Sequence, residues 1–262
     1  MTRIIRAELT RLIRRRTLIV ASVGSMVFAA LATLTVFASA EDNVVRSRQG
    51  GTTLSQLTGP GGGTEAFAVG ASFAGFLVFV TFIALIASEF SGGTFRALLL
   101  HEPHRRRVIL GKLAGVLIVA AGVVALFELC TFVLSLVVAP SQDIPTGGWF
   151  SFAGLGDAAA DYLTVLAGVT GWAIFGTTLA VIFRSAPLAL GVGFAWAGPF
   201  ENIVVDSWDT GFKVFPGQVL GSMIRGGTIE LGMGRALATA AVYAAIAATL
   251  SLILVSRRDV TA

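Results

Sequence analysis

The charged residues of this 262-residue chain fall into clusters, and the gaps between clusters are as long as a bilayer is thick. Residues 17–40, 66–88, 162–183 and 236–256 contain no Asp, Glu, Lys or Arg, and 113–139 contains only Glu128. A helix rising ~1.5 Å per residue needs about 20 apolar residues to cross a ~30 Å hydrocarbon core. Five spans follow directly. A sixth, over about 186–205, takes in the shorter uncharged stretch between Arg184 and Glu201 and is interrupted by Gly198-Pro199. Charged residues make up 13% of the chain, about half the usual ~25%, which excludes a disordered, highly charged chain. Cys130 is the only cysteine and cannot close an internal bridge. The expected fold class is an all-α membrane protein: a single transmembrane domain over 1–262 with six transmembrane helices.

Loops on the cytoplasmic side of a membrane collect Lys and Arg. Residues 1–16, the segment 89–112, the turn at Arg184 and the tail with Arg257 and Arg258 hold fourteen of the nineteen basic residues. The intervening loops are mostly acidic, with Glu41, Asp42, Glu65, Asp143, Asp157, Asp161, Asp206, Asp209 and Glu230. Six spans therefore place both termini in the cytoplasm. Ala38-Ser39-Ala40 resembles a signal-peptide cleavage site, but the apolar run before it is longer than the 7–15 residues of a signal core. An uncleaved anchor is expected. With 17 Arg to 2 Lys and much Ala and Gly, the composition points to a GC-rich bacterial genome, hence a bacterial plasma membrane.

Residues 1–16 place Ile5, Leu9, Leu12 and Ile13 on one stripe ringed by arginines, the pattern of a helix lying in the membrane interface. The glycine-rich stretch 59–63 has no Lys where a phosphate-binding loop requires one, so a flexible outer loop is expected. Trp149, Phe150 and Phe152 read as an interfacial aromatic belt. Gly168, Gly171 and Gly176 read as a helix-packing face. Residues 202–234 mix apolar residues, charges and glycines. They are expected to form short, partly inserted re-entrant helices on the outer side between spans five and six, with Phe212, Phe215, Val219 and Met223 as a stripe.

The most informative segment is 89–112, between spans two and three. Thr94, after Gly92-Gly93, is expected to cap a short helix. Phe95, Leu98 and Leu99 share one face of it, and Pro103 ends it. An apolar face on a cytoplasmic helix calls for a partner. The segment resembles the loop after the second span in ABC-2-type transporter permeases, including the bacitracin-resistance, sodium-export and actinobacterial antibiotic-export permeases. Their pattern runs roughly E-x-x-x-G-T-x-R-x-L-L-x-x-P-x-x-R, followed by a Lys opening the third span. The matching residues are Glu89, Gly93, Thr94, Arg96, Leu98, Leu99, Pro103, Arg106 and Lys112. The basic N-terminal helix with Glu8 is similar to that family's elbow helix.

The resemblance implies a half-transporter lacking its own nucleotide-binding domain. Two copies of a separate ABC ATPase, carrying ATP and Mg, would drive a pair of permeases, the second being the same chain or a paralogue. The helix 93–100 would be the coupling helix, with Phe95, Leu98 and Leu99 inserted into an ATPase groove and Glu89 and Arg96 holding the loop's shape. The cargo would be a hydrophobic drug, antibiotic, peptide or lipid moving outward. Phe73, Phe76, Phe79 and Phe82, repeating every three residues on span two, and the intramembrane Glu128 are the candidate pathway residues. The alternative is a non-transporting membrane resistance or sensor protein. Enzyme chemistry is not expected: His101 and His104, the only histidines, lie in the loop, His101-Glu102-Pro103-His104 lacks the H-E-x-x-H spacing, and no span carries a nucleophile–histidine pair. No cofactor, metal or nucleic acid is called for on this chain.

Overall fold

The computed structural model describes residues 1–40, 52–102 and 104–257. Among these the chain is helical and contains no strand; an isolated bridge joins Gly227 and Gly232. In chain order the helices are α1 (Thr2–Leu12), α2 (Arg15–Ala38), α3 (Leu54–Thr58), α4 (Glu65–Ser91), α5 (Thr94–His101), α6 (Arg105–Val138), α7 (Phe152–Phe183), α8 (Ala186–Ala195), α9 (Glu201–Ser207), α10 (Pro216–Ile224) and α11 (Met233–Arg257). A π-helical turn, Trp196–Phe200, joins α8 to α9 in one continuous rod. Six rods are long and apolar enough to cross a membrane: α2, α4, α6, α7, α8–α9 and α11. This is the architecture of a multi-pass membrane protein. The outer faces of these rods are apolar, as Leu18, Val20, Val23, Met26, Val27 and Leu31 on α2 illustrate, because lipid tails rather than water surround them.

The bundle is built around α4 and α7. Gly75 of α4 leaves room for the indole of Trp172 on α7, and Gly176 of α7 backs onto Phe79 and Phe82 of α4. In lipid, small residues let helix backbones approach, since no hydrophobic effect drives helices together. The expected face of Gly168, Gly171 and Gly176 therefore serves two neighbours. Gly176 takes α4, while Gly168 and Gly171 receive Ile224 and Leu220 of α10. A methyl at Gly168 would overlap Ile224 Cγ1. Gly168→Ala is expected to cost about 1–3 kcal/mol through overpacking, read as a lowered melting temperature of the purified protein. Ser251 on α11 donates to Thr178 on α7 at 2.8 Å, a buried polar tie between these helices.

Several boundaries differ from those expected. The third rod begins at Arg105 rather than near 113, and the fourth at Phe152 rather than near 162. Charged residues mark where hydrocarbon ends, not where a helix must, and α6 and α7 run on past their apolar stretches. Around 52–63, α3 opens with a capping box between Thr53 and Gln56, and Gly63 packs beneath Phe132 and Trp149. These glycines serve close packing rather than a flexible loop. The preceding residues 41–51 lie outside the described residues. Trp149 is not part of an aromatic belt. It is buried and donates its indole N–H to Leu57 O at 3.0 Å, while Phe150 and Phe152 face outward. Between α9 and α11, Phe212, Val219 and Met223 are buried in the main core and Phe215 packs against it.

Candidate functional site

The basic segments converge at one end of the bundle. Arg106 on α6 donates to Ser256 near the end of α11 at 3.4 Å. Ser91, closing α4, accepts from the Ala186 amide that opens α8 at 3.1 Å. Ile4 of α1, Phe90, Phe95, Leu98 and Leu99, Val108 and Ile109 of α6, Val181 of α7, and Leu254 and Val255 of α11 form one apolar cluster here.

Beneath this cluster is a knot of four charges. Gly111 and Gly115 of α6 let α1 lie close, so that Ile4 and Glu8 sit directly over them. The approach brings Glu8 to Lys112. Lys112 Nζ donates to Glu8 Oε2 at 3.0 Å and to Glu89 Oε1 at 2.7 Å. Arg11 Nη1 donates to the same Glu89 oxygen at 2.6 Å, and Arg11 Nη2 pairs with Glu8 Oε1 without hydrogen-bonding alignment. Glu8, Glu89 and Lys112 are each 4% exposed. Two acids and two bases balance, which is what allows charges to be buried at all. The knot joins α1, the end of α4 and the start of α6, so Glu89 and Lys112, the outermost residues of the 89–112 motif, frame its loop. Arg11 carried no signal in the sequence: it is one of six arginines in the first sixteen residues, and only the fold selects it.

Within the frame, α5 does not start as expected. Its cap is Gly93, at φ +72°, a left-handed conformation open to glycine at little steric cost. Thr94 is the first helical residue, and its hydroxyl reaches back to Glu89 O at 3.4 Å. The face of Phe95, Leu98 and Leu99 turns inward. Phe95 is buried, tilted against Phe90 with ring centroids 4.6 Å apart, and Leu98 and Leu99 are half-buried against the same cluster. Leu100 points outward, 86% exposed. A free helix face predicts an open partner side, but the chain's own α6, α7 and α11 ends are close enough to take it. The Arg96 side chain and Pro103 lie outside the described residues. Beyond the helix, His104 Nδ1 lies 2.8 Å from Glu102 Oε1, and this hydrogen bond holds the Glu102 carboxyl below the usual carboxylate range.

The four phenylalanines of α4 do not share one environment. Phe79 and Phe82 are core residues, Phe76 meets Phe194 of α8 edge-on at 5.3 Å, and Phe73 is 61% exposed. A three-residue repeat drifts round an α-helix of 3.6 residues per turn, so the row passes from the surface into the core. Glu128 is half-buried on α6, facing the region of Asp161. Among the described residues no group of three or more His, Cys, Asp or Glu is placed to hold a metal.

Phe73 and Phe76 instead line a cavity of about 210 Å³ bounded by α4, α7, α9 and α10. Its acidic residue is Glu201, 1% exposed, whose Oε1 accepts from Trp196 Nε1 at 2.7 Å. No sequence spacing links Glu201, Trp172 and the α10 residues that surround them.

A family model matches residues 27–261, nearly all of the bundle and the loop. The chain belongs to the DUF2705 family. That family is described as proteins of unknown function. No curated protein matches this DUF2705 chain significantly.

Proposed function

We propose that this chain is the permease subunit of an ABC-2-type exporter, with α1 as the interfacial elbow helix and α5 as the coupling helix. In this reading the basic end of the bundle faces the cytoplasm of a bacterial cell and both termini lie there, as the placement of arginines favours. The segments from α9 to α10 are the short re-entrant helices of the outer side. A second permease, the same chain or a paralogue, completes the pathway, and two copies of a separate ABC ATPase supply ATP and Mg. The cargo is a hydrophobic drug, antibiotic, peptide or lipid.

The observation that carries the reading is the charge knot. Glu8, Arg11, Glu89 and Lys112 fasten the end of α4, where the loop begins, to α1 and α6. A short helix braced at one end of a bundle, with its last leucine exposed, can pass a push from a docked partner into α4 and α6 together. The docking surface is then the Leu100 side of α5, with Phe95 as its inner anchor.

The test is Leu100→Asp. This residue is exposed, so the variant is expected to insert and melt as the wild type does. Co-purification with an ABC ATPase encoded beside it is expected to fall roughly tenfold or more, with export lost. Wild-type association and transport would overturn the coupling role. Protection that persists after deletion of the ATPase gene would favour the resistance or sensor reading instead.

A further inference from the structure

The fold divides the six arginines of the first sixteen residues into two groups. Arg11 turns to the knot. Arg3, Arg6, Arg14, Arg15 and Arg16 are exposed, and among the described residues no acid pairs with any of them. On α1 the division follows the helical period. Ile4 and Glu8, one turn apart, lie against Gly111 and Gly115 of α6. Arg3, Arg6 and Thr10 fall on the far side and are open. Ile5, Leu9 and Leu12 are half-buried on the flank between these two faces.

The five open arginines stand where lipid-facing surface begins. Ile13, just before Arg14, is 54% exposed, and Leu18 and Val20, just after Arg16, are 48% and 72% exposed. Aliphatic side chains on the outside of a spanning rod face acyl chains. Guanidinium groups take phosphate oxygens in a fork of parallel hydrogen bonds. A partner that matches both features carries an anionic phosphate and an acyl chain in one molecule. A free phosphate leaves the apolar surface unmatched. A zwitterionic headgroup brings its own cation up against the arginines.

We propose that the open face of α1 and the turn into α2 form a docking surface for anionic phospholipid, phosphatidylglycerol in type. Its headgroup phosphates lie among Arg3, Arg6 and Arg14–Arg16, and its acyl chains lie along Leu18 and Val20. Because the knot ties α1 to α4 and α6, lipid held there also steadies the ends of those helices. Lipid binding requires neither an ATPase nor transport, so this inference and the exporter reading can fail separately.

The test uses the full chain purified in a neutral detergent and incubated with equal amounts of dioleoyl-phosphatidylglycerol and dioleoyl-phosphatidylcholine. The two share acyl chains and differ in net charge. Lipid retained after repurification is counted by mass spectrometry. The wild type is expected to retain phosphatidylglycerol in preference by at least about fivefold, the worth of one basic residue at an anionic surface. Arg3→Gln combined with Arg6→Gln removes two exposed charges and is expected to lower that preference by a similar factor. Lys213→Gln combined with Arg235→Gln, at the opposite end of the bundle, is expected to leave it unchanged. An equal concentration of inorganic phosphate is expected not to displace the lipid. Amide hydrogen exchange locates the surface without a variant: phosphatidylglycerol, and not phosphatidylcholine, is expected to slow residues 1–16. The inference is overturned by equal retention of the two lipids, by displacement with inorganic phosphate, or by exchange in residues 1–16 that ignores phosphatidylglycerol. It is equally overturned if folded Arg3→Gln, Arg6→Gln protein keeps the wild-type preference, or if the Lys213→Gln, Arg235→Gln protein loses it. Where a variant fails to fold, the lipid comparison and the exchange measurement on wild-type protein decide the matter.

Discussion

Lys112→Met is expected to destabilise the folded protein by about 3–5 kcal/mol, the usual cost of removing one partner from a buried ion network. Lys112 Nζ is the donor shared by Glu8 and Glu89. Without it, two carboxylates that are each 4% exposed have only Arg11 between them. A melting curve of purified protein in one fixed detergent reads the loss. The double variant Glu8→Gln, Lys112→Met is expected to recover much of it, because the remaining Glu89–Arg11 contact is a neutral pair. Non-additivity of this kind is what a shared network produces. A Lys112→Met protein that melts with the wild type would show that the knot contributes little to holding α1, α4 and α6 together.

Phe95→Asp is expected to be at least as damaging. The ring is 2% exposed and tilted against Phe90, inside the cluster that α5 shares with α1, α4, α6, α7 and α11. Deleting a buried Phe side chain costs about 3–5 kcal/mol, and a carboxylate put in its place would be buried among apolar side chains. The variant should accumulate poorly in membranes and melt early. Phe95→Leu should retain most of the stability, since it keeps an apolar group there. The pair separates two roles along α5: Phe95 secures the helix from within, whereas Leu100 changes the surface it offers. If Phe95→Asp instead accumulated and melted normally, the inward face of α5 would be the one free to meet a partner.

What was legible in the sequence was what lipid dictates. Hydrocarbon excludes charge, so the gaps between Arg16, Glu41, Glu65 and Glu89 located α2 and α4 closely. The same rule misplaced the starts of α6 and α7. Arg105 to Lys112 and Asp157 to Asp161 are charged stretches that remain helical, and helices answer to backbone hydrogen bonds as well as to solvent. The 89–112 motif contained both Glu89 and Lys112 but set Glu89 beside Arg96, and nothing in it related Glu89 to Lys112, Glu8 and Arg11 as one knot. That pairing depends on α1 folding back over Gly111 and Gly115, a tertiary contact with no local signature. The cap at Gly93 rather than Thr94 is a matter of one φ angle. The cavity was least legible, since Trp172, Glu201 and Gly217 come from three separate helices.

The π-helical turn at Trp196–Phe200 governs which way the end of the fifth rod looks. A π turn accommodates one residue more than an α turn. Everything after it is rotated by about 100° relative to an unbroken α-helix. Glu201 is the first residue beyond that step, and there it meets α10 and Trp196. Pro199, within the turn, has no amide hydrogen to offer the α-helical ladder, which makes the wider turn easy to keep. The irregularity thus works as an angular offset built into the rod: it carries an acidic side chain out of the arc that lipid would occupy and into the interior of the bundle.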